Sequence, residues 1–128
     1  MHAATDVTGF GLLGHLHNML AASGLSAEID AAAVPLFPNA VELAERGAIP
    51  GGTQRNRDAL SAQVRFAALV PEPIRVLLFD AQTSGGLLIA VDPDRAGALL
   101  GALEREGTPA AVKIGRLARG VAGAITVT

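Results

Sequence analysis

Thr5-Asp6-Val7-Thr8-Gly9-Phe10-Gly11-Leu12-Leu13-Gly14-His15 stands near the start of this 128-residue chain. It sets a carboxylate and two hydroxyls just ahead of a glycine-spaced apolar run. Leu12, Leu13, Leu16, Met19 and Leu20 recur at helical spacing, which predicts a helix from about Thr8 to Ala22, stopped by Gly24. A helix start exposes unpaired N–H groups and the positive end of its peptide dipoles, a natural seat for phosphate or metal-bound phosphate. Asp6 then has two readings. It, or Thr8, can be an N-cap, the commoner use of such residues. Alternatively, Asp6 can be a magnesium ligand, since magnesium is held by one or two carboxylates together with waters and phosphate oxygens. Gly9, Gly11 and Gly14 are poor helix formers, so they point to a loose first turn or to close approach of another backbone.

Outward from this stretch, Leu25 to Asp30 reads as a short strand, and Pro35 and Pro38 mark a loop. Asn39 is placed to cap a helix from Ala40 to Arg46, closed by Gly47. Ile49 to Arg57 reads as a polar, glycine-rich connection. A helical turn and a short strand near Arg65 to Ala68 are expected next, then a helix opened by Pro73 and running to about Phe79. Asp80-Ala81-Gln82-Thr83-Ser84-Gly85-Gly86 forms a second special loop, feeding the apolar run Leu87 to Val91, which suits a buried strand. Pro93 opens a helix to about Glu106 with Ala96, Leu99, Leu100 and Leu103 facing inward. Val112 to Leu117 and Val121 to Val127 read as two final strands. The pattern gives an α+β (α/β two-layer) fold, and residues 1–128 show no composition break that would divide them.

Composition narrows the function classes. Half the residues are apolar but aromatics are only 3%, so the core is built from Ala, Val, Leu and Ile. A net charge of −2 with no basic run argues against a nucleic-acid surface. The absence of cysteine excludes a disulfide scaffold, a thiolate metal site and a cysteine nucleophile in this chain. It is compatible with a reducing cytosol, and a cytoplasmic location is expected. No secretory leader is visible, and no apolar stretch reaches the roughly 18 residues of a membrane span.

Other residue sets carry weaker signals. Thr83, Ser84, Gly85 and Gly86 can bind an anion, or can simply turn the chain into a core strand. The phosphate-loop fingerprint is absent. Arg55 and Arg57 suit bidentate phosphate recognition and equally suit a solvated surface. His15 lies between apolar stripes and reads as a hydrogen-bonded structural residue. His17 is expected to be exposed, and His2 sits at a chain end. His15 and His17 are too close in sequence to share a helix face as a metal pair.

The combination is more specific than its parts. Thr5 to Leu16 closely resembles the segment that opens the C-terminal domain of the selenophosphate synthetase family. Gly52-Thr53-Gln54-Arg55-Asn56 resembles that family's second landmark. Asp80-Ala81-Gln82-Thr83-Ser84-Gly85-Gly86-Leu87-Leu88-Ile89 resembles its third, which usually carries proline where this chain has Ala81. The resemblance runs from His2 nearly to the C-terminus. Thiamine-monophosphate kinase and hydrogenase maturation proteins share the wider aminoimidazole ribonucleotide synthetase-like architecture without these three motifs together. The resemblance implies a mixed sheet covered by helices, and a selenide, water dikinase that turns ATP, selenide and water into selenophosphate, AMP and phosphate. It implies magnesium, with the family's aspartate ligand falling on Asp6. Thr5 and Thr8 would support it, and Thr83, Ser84, Gly85 and Gly86 would shape the ATP- and metal-binding wall. It also implies a missing N-terminal ATP-binding domain that carries the reactive Cys or selenocysteine and the essential lysine. The single lysine here, Lys113, matches no such motif. The chain alone is therefore expected to hold no catalytic residue and to be inactive. Its partner would be that N-terminal domain, and the oligomeric state is open. The competing readings are a non-catalytic partner or regulatory module, and a domain of another small-molecule kinase of the superfamily.

Overall fold

The computed structural model describes residues 1–128. The core forms where a four-stranded sheet meets one helix. The sheet takes the order β3 (Val64–Phe66), β6 (Ile125–Val127), β2 (Leu25–Ile29), β5 (Gly115–Arg119). It is mixed: β6 runs parallel to β3 and β2, and β5 runs antiparallel to β2. Register places Ala27 beside Ile125, and Ile125 beside Val64; Ile29, Val127 and Phe66 form the next row. Because strand side chains alternate, these residues share one face, and Ala27, Ile29, Val64, Ile125 and Val127 are buried. Glu28, Arg65, Thr126 and Arg116 take the opposite face and stay exposed, with Arg116 clasping Glu28 at 2.9 and 2.6 Å.

Helix α1 (Gly11–Ser23) covers the apolar face with Leu13, Leu16 and Leu20. Full burial of each is worth about 2 kcal/mol. Gly24 ends it in the left-handed region (φ 67°), its N–H bonded to the Leu20 carbonyl. Leu78 and Phe79, which follow α4 (Glu72–Leu77), complete the core from one side, and Phe79 packs edge-on against Phe66 at 6.0 Å.

Several expectations are corrected. Ala3–Asp6 is a strand, β1, and α1 starts at Gly11 rather than Thr8. Asn39 precedes α2 (Ala40–Glu45), but it stands at φ 65° and its side chain caps nothing. Gly51–Leu60 is a helix, α3, in place of the polar connection expected there. β4 (Leu87–Ala90) is not a buried core strand: it pairs only with β1, antiparallel, in a separate two-stranded ribbon, and Leu87 is exposed. Helix α5 (Pro93–Arg105) forms as expected but buries no residue fully, so its apolar stripe stands outside the core. Lys113 precedes β5 rather than lying in it.

Candidate functional site

The three motif segments meet at the end of β1. Asp6 is its last residue and lies opposite Leu87 of β4. The strand pairing continues into the loops. Val7 N–H donates to the Gly86 carbonyl at 2.9 Å, Gly85 N–H donates to the Val7 carbonyl at 3.0 Å, and Gln82 N–H donates to the Thr8 carbonyl at 3.0 Å. A Cβ on Gly85 would stand 2.7 Å from the Val7 carbonyl oxygen, so the second glycine-rich loop is seated against the first motif too closely for a side chain.

Helix α3 locks this junction from behind. The Asn56 side-chain amide donates to the Gly9 carbonyl at 2.8 Å and to the Phe79 carbonyl at 3.0 Å. One turn earlier, buried Thr53 donates its hydroxyl to Asp80 Oδ1 at 2.5 Å and accepts the Ala81 N–H at 3.3 Å. Gln82 Nε2 donates to Asp80 Oδ2 at 2.9 Å. Sequence reasoning places Thr53, Asn56 and Asp80 within motifs but gives them no role. The signal that could find them is polar residues at i and i+3 in a segment without an apolar stripe, a spacing that puts both on one helix face.

The start of α1 is not the open phosphate seat that the sequence suggests. Its N-cap is Phe10, with no side-chain cap, so neither Asp6 nor Thr8 caps it. Leu13 N–H donates to the Leu78 carbonyl at 3.2 Å. Gly11, at φ 69°, presses against the Phe79 carbonyl, which a Cβ would meet at 2.6 Å. The carbonyl end of α4 therefore occupies the amide end of α1, two opposite dipole poles in contact.

His15 is a positioning group. Its Nε2 lies 3.0 Å from the Thr8 N–H and 3.1 Å from Thr8 Oγ1. Accepting from a backbone N–H requires a lone pair on Nε2, which places the ring proton on Nδ1. The ring also packs beside Phe10, 5.6 Å between centroids. His17, expected to be exposed, is half-buried with Nδ1 2.9 Å from the Gly123 carbonyl. His2 is held rather than loose. Its N–H donates to the Ala90 carbonyl, and its ring meets Asp92 at 2.8 Å, a contact that lowers the Asp92 carboxyl from the usual carboxylate range.

The remaining candidates divide by availability. Asp6 is exposed, and its carboxylate takes part in no hydrogen bond or ion pair with this chain. Thr5 points to the other face of β1, so it stands apart from that carboxylate. The hydroxyls of Thr83 and Ser84 are exposed, and their backbone N–H groups find no acceptor in the chain. Gly85 N–H and the Gly86 carbonyl are already used on Val7. Arg57 is paired with Glu72 at 2.5 Å, and exposed Arg55 folds back beside Gly51 and Gly52 of its own helix. No three His, Cys, Asp or Glu residues converge as a metal cage. One free carboxylate fits a magnesium ion that takes its other ligands from water and phosphate, and does not fit an all-protein site.

The whole chain, residues 1–128, matches the family described as AIR synthase related protein, C-terminal domain. The chain belongs to that family. Curated relatives named selenide, water dikinase include one from Pelobacter propionicus, 50% identical over 117 residues, covering 91% of this chain and 34% of the relative. Another, from Rhizobium meliloti, is 45% identical over 122 residues, covering 95% and 35%. The chain thus spans about a third of the length of the curated relatives it matches. Among solved structures, a thiamine-monophosphate kinase from Stenotrophomonas maltophilia K279a superposes with a TM-score of 0.62 over 98% of this chain and 31% of that one, at 23% identity. That likeness fixes the fold, an α+β domain with a mixed sheet and helices. No helix is long and apolar enough to cross a membrane.

Proposed function

We propose that this AIR synthase related domain works as the C-terminal domain of a selenophosphate synthetase, a cytoplasmic enzyme converting ATP, selenide and water into selenophosphate, AMP and phosphate. The observation that carries the reading is the free, exposed carboxylate of Asp6, set by β1 directly beside the glycine-rich loop of the third motif.

In this reading Asp6 is one magnesium ligand. A bound magnesium ion would neutralise phosphate charge, which is most of what phosphoryl transfer asks of a site. The chain's own residues do the positioning. His15 holds the Thr8 backbone, Asn56 and Thr53 hold the two loops against each other, and Thr83 and Ser84 offer hydroxyls and free N–H groups to phosphate oxygens. Gly85 and Gly86 act by seating the loop on Val7. Thr5 acts through the strand rather than on the metal. The lysine and nucleophile the chemistry needs would come from an N-terminal ATP-binding domain, so the chain alone is inactive.

The test joins this chain to the rest of the Pelobacter propionicus relative in place of that protein's matching segment. With ATP, magnesium and selenide, the chimera is expected to form AMP and selenophosphate, and the chain alone to form neither. Asp6→Asn should lower kcat by about a hundredfold or more with the fold intact. Turnover by the chain alone would end the claim of dependence. A folded but inactive chimera, or one releasing ADP and a phosphorylated metabolite, would end the enzyme assignment.

A further inference from the structure

A concavity lies between α2, α4 and the segment joining α2 to α3. Its volume is about 250 Å³. Phe37 and Leu43 line it and remain well exposed, at 75% and 50%. Ile49, Val76 and Leu77 supply further apolar wall. Its only polar lining residues are Thr53 and Asp80. Thr53 is 1% exposed, so the polar end is sunk while the apolar rim stands open.

Asp80 is the one acidic residue of this chain that is not exposed. The ion pairs of the protein are His2–Asp92, Arg46–Glu42, Arg57–Glu72 and Arg116–Glu28; Asp80 has no cation. Its half-buried carboxylate is held by two neutral donors, one on each oxygen, from Thr53 and Gln82. A carboxylate offers about four acceptor positions, so about two are left. An apolar pocket with one charged group of fixed position is the usual form of a small-molecule site. A negative group without a counter-charge at its polar end selects the sign of the ligand, because an ionised donor makes the stronger hydrogen bond to it.

We propose that this pocket binds a small organic cation, an amine or amidine carrying an apolar ring or chain, with its charged end on Asp80. The pocket shares Thr53 and Asp80 with the clasp that holds the Asp6 junction, but the proposal does not depend on the selenophosphate synthetase reading. The pocket adjoins that junction through the loop from Asp80 to Gly86, whose far end is bonded to Val7.

Titration of the isotope-labelled chain by NMR with three probes of one shape tests the proposal: benzamidine, neutral benzamide and anionic benzoate. Benzamidine is expected to give saturable shifts at the amides of Ala44, Thr53, Val76, Leu77 and Asp80, with benzamide and benzoate about tenfold weaker or silent. Asp80→Asn keeps an acceptor for the Thr53 hydroxyl and should erase the preference for benzamidine. Where that variant fails to fold, Phe37→Ala, at an exposed rim position, should weaken benzamidine about threefold and leave the fold unchanged. Equal binding of all three probes, shifts that map elsewhere, or no saturable binding would overturn the proposal.

Discussion

The Asn56 side-chain nitrogen lies 2.8 Å from the Gly9 carbonyl oxygen and 3.0 Å from that of Phe79, donating to both. One side chain on α3 thus ties the loop after Asp6 to the residue before Asp80. Removing it leaves two carbonyls without a donor, one of them part-buried, at a cost of about 1–3 kcal/mol. Alanine returns up to about 0.7 kcal/mol as the better helix former. Asn56→Ala should therefore lower stability by about 1–2 kcal/mol in urea unfolding. Asn56→Asp should cost more, since it turns an acceptor toward two acceptors. An Asp variant as stable as the parent would mean that the clasp does not hold in solution.

Two glycines should respond in opposite directions to alanine. Gly11 sits in the left-handed region, which costs an L-residue about 1–2 kcal/mol, and its new Cβ would stand 2.6 Å from a backbone oxygen. Gly11→Ala should cost about 3 kcal/mol or more, adding strain to overpacking. Gly97, inside α5, keeps ordinary helical backbone, and a Cβ added there would meet open space. Gly97→Ala should stabilise by about 0.5–1 kcal/mol. Thermal unfolding of the two variants gives the comparison; equal effects would contradict the packing of α1 against the end of α4.

The elements legible in the sequence are those whose own side chains form the core. α1 announces itself through Leu13, Leu16 and Leu20, and Gly24 ends it as expected. α3 is not legible, because Gly51-Gly52-Thr53-Gln54-Arg55-Asn56-Arg57-Asp58 carries no apolar stripe. It is a helix because Thr53 and Asn56 find acceptors that lie 27 and 23 residues further along the chain, a relation that local spacing cannot reveal. α5 misleads in the opposite sense: Ala96, Leu99, Leu100 and Leu103 have the right period, yet none is fully buried. For the site, the grouping of three motifs comes from resemblance, while spacing alone sets Asp6 at the entry to a helix and misses the strand that it ends. The helix begins only at Gly11.

The His2–Asp92 contact gives a pH signature. The hydrogen bond from His2 is the first cause of the lowered Asp92 carboxyl, and the imidazolium charge the second. A carboxyl lowered in the folded state contributes stability that is fully present above its unfolded value, 3.8, and that fades as pH falls through the lowered folded value. Asp92 is exposed, so water screens the pair and the effect on unfolding should be slight. His2→Ala should return the Asp92 carboxyl to the ordinary range in a carbon-detected NMR titration. An unchanged titration would show that the ring does not rest on Asp92.

Thr53 separates a hydroxyl effect from a packing effect. Valine has nearly the same shape and a similar helix propensity, so Thr53→Val removes the oxygen with little else. Asp80 then loses one of its two donors, and the Ala81 N–H loses its acceptor, at a position only 1% exposed. The expected cost is about 1–3 kcal/mol. Thr53→Ser keeps both hydrogen bonds and loses one methyl, for about 0.8 kcal/mol plus any cavity left behind. Serine should therefore be the milder change, and the amide shifts of Gln82 to Gly86 should move with valine and stay in place with serine. The reverse order would assign Thr53 to packing alone, and the loop that faces Asp6 would need another anchor.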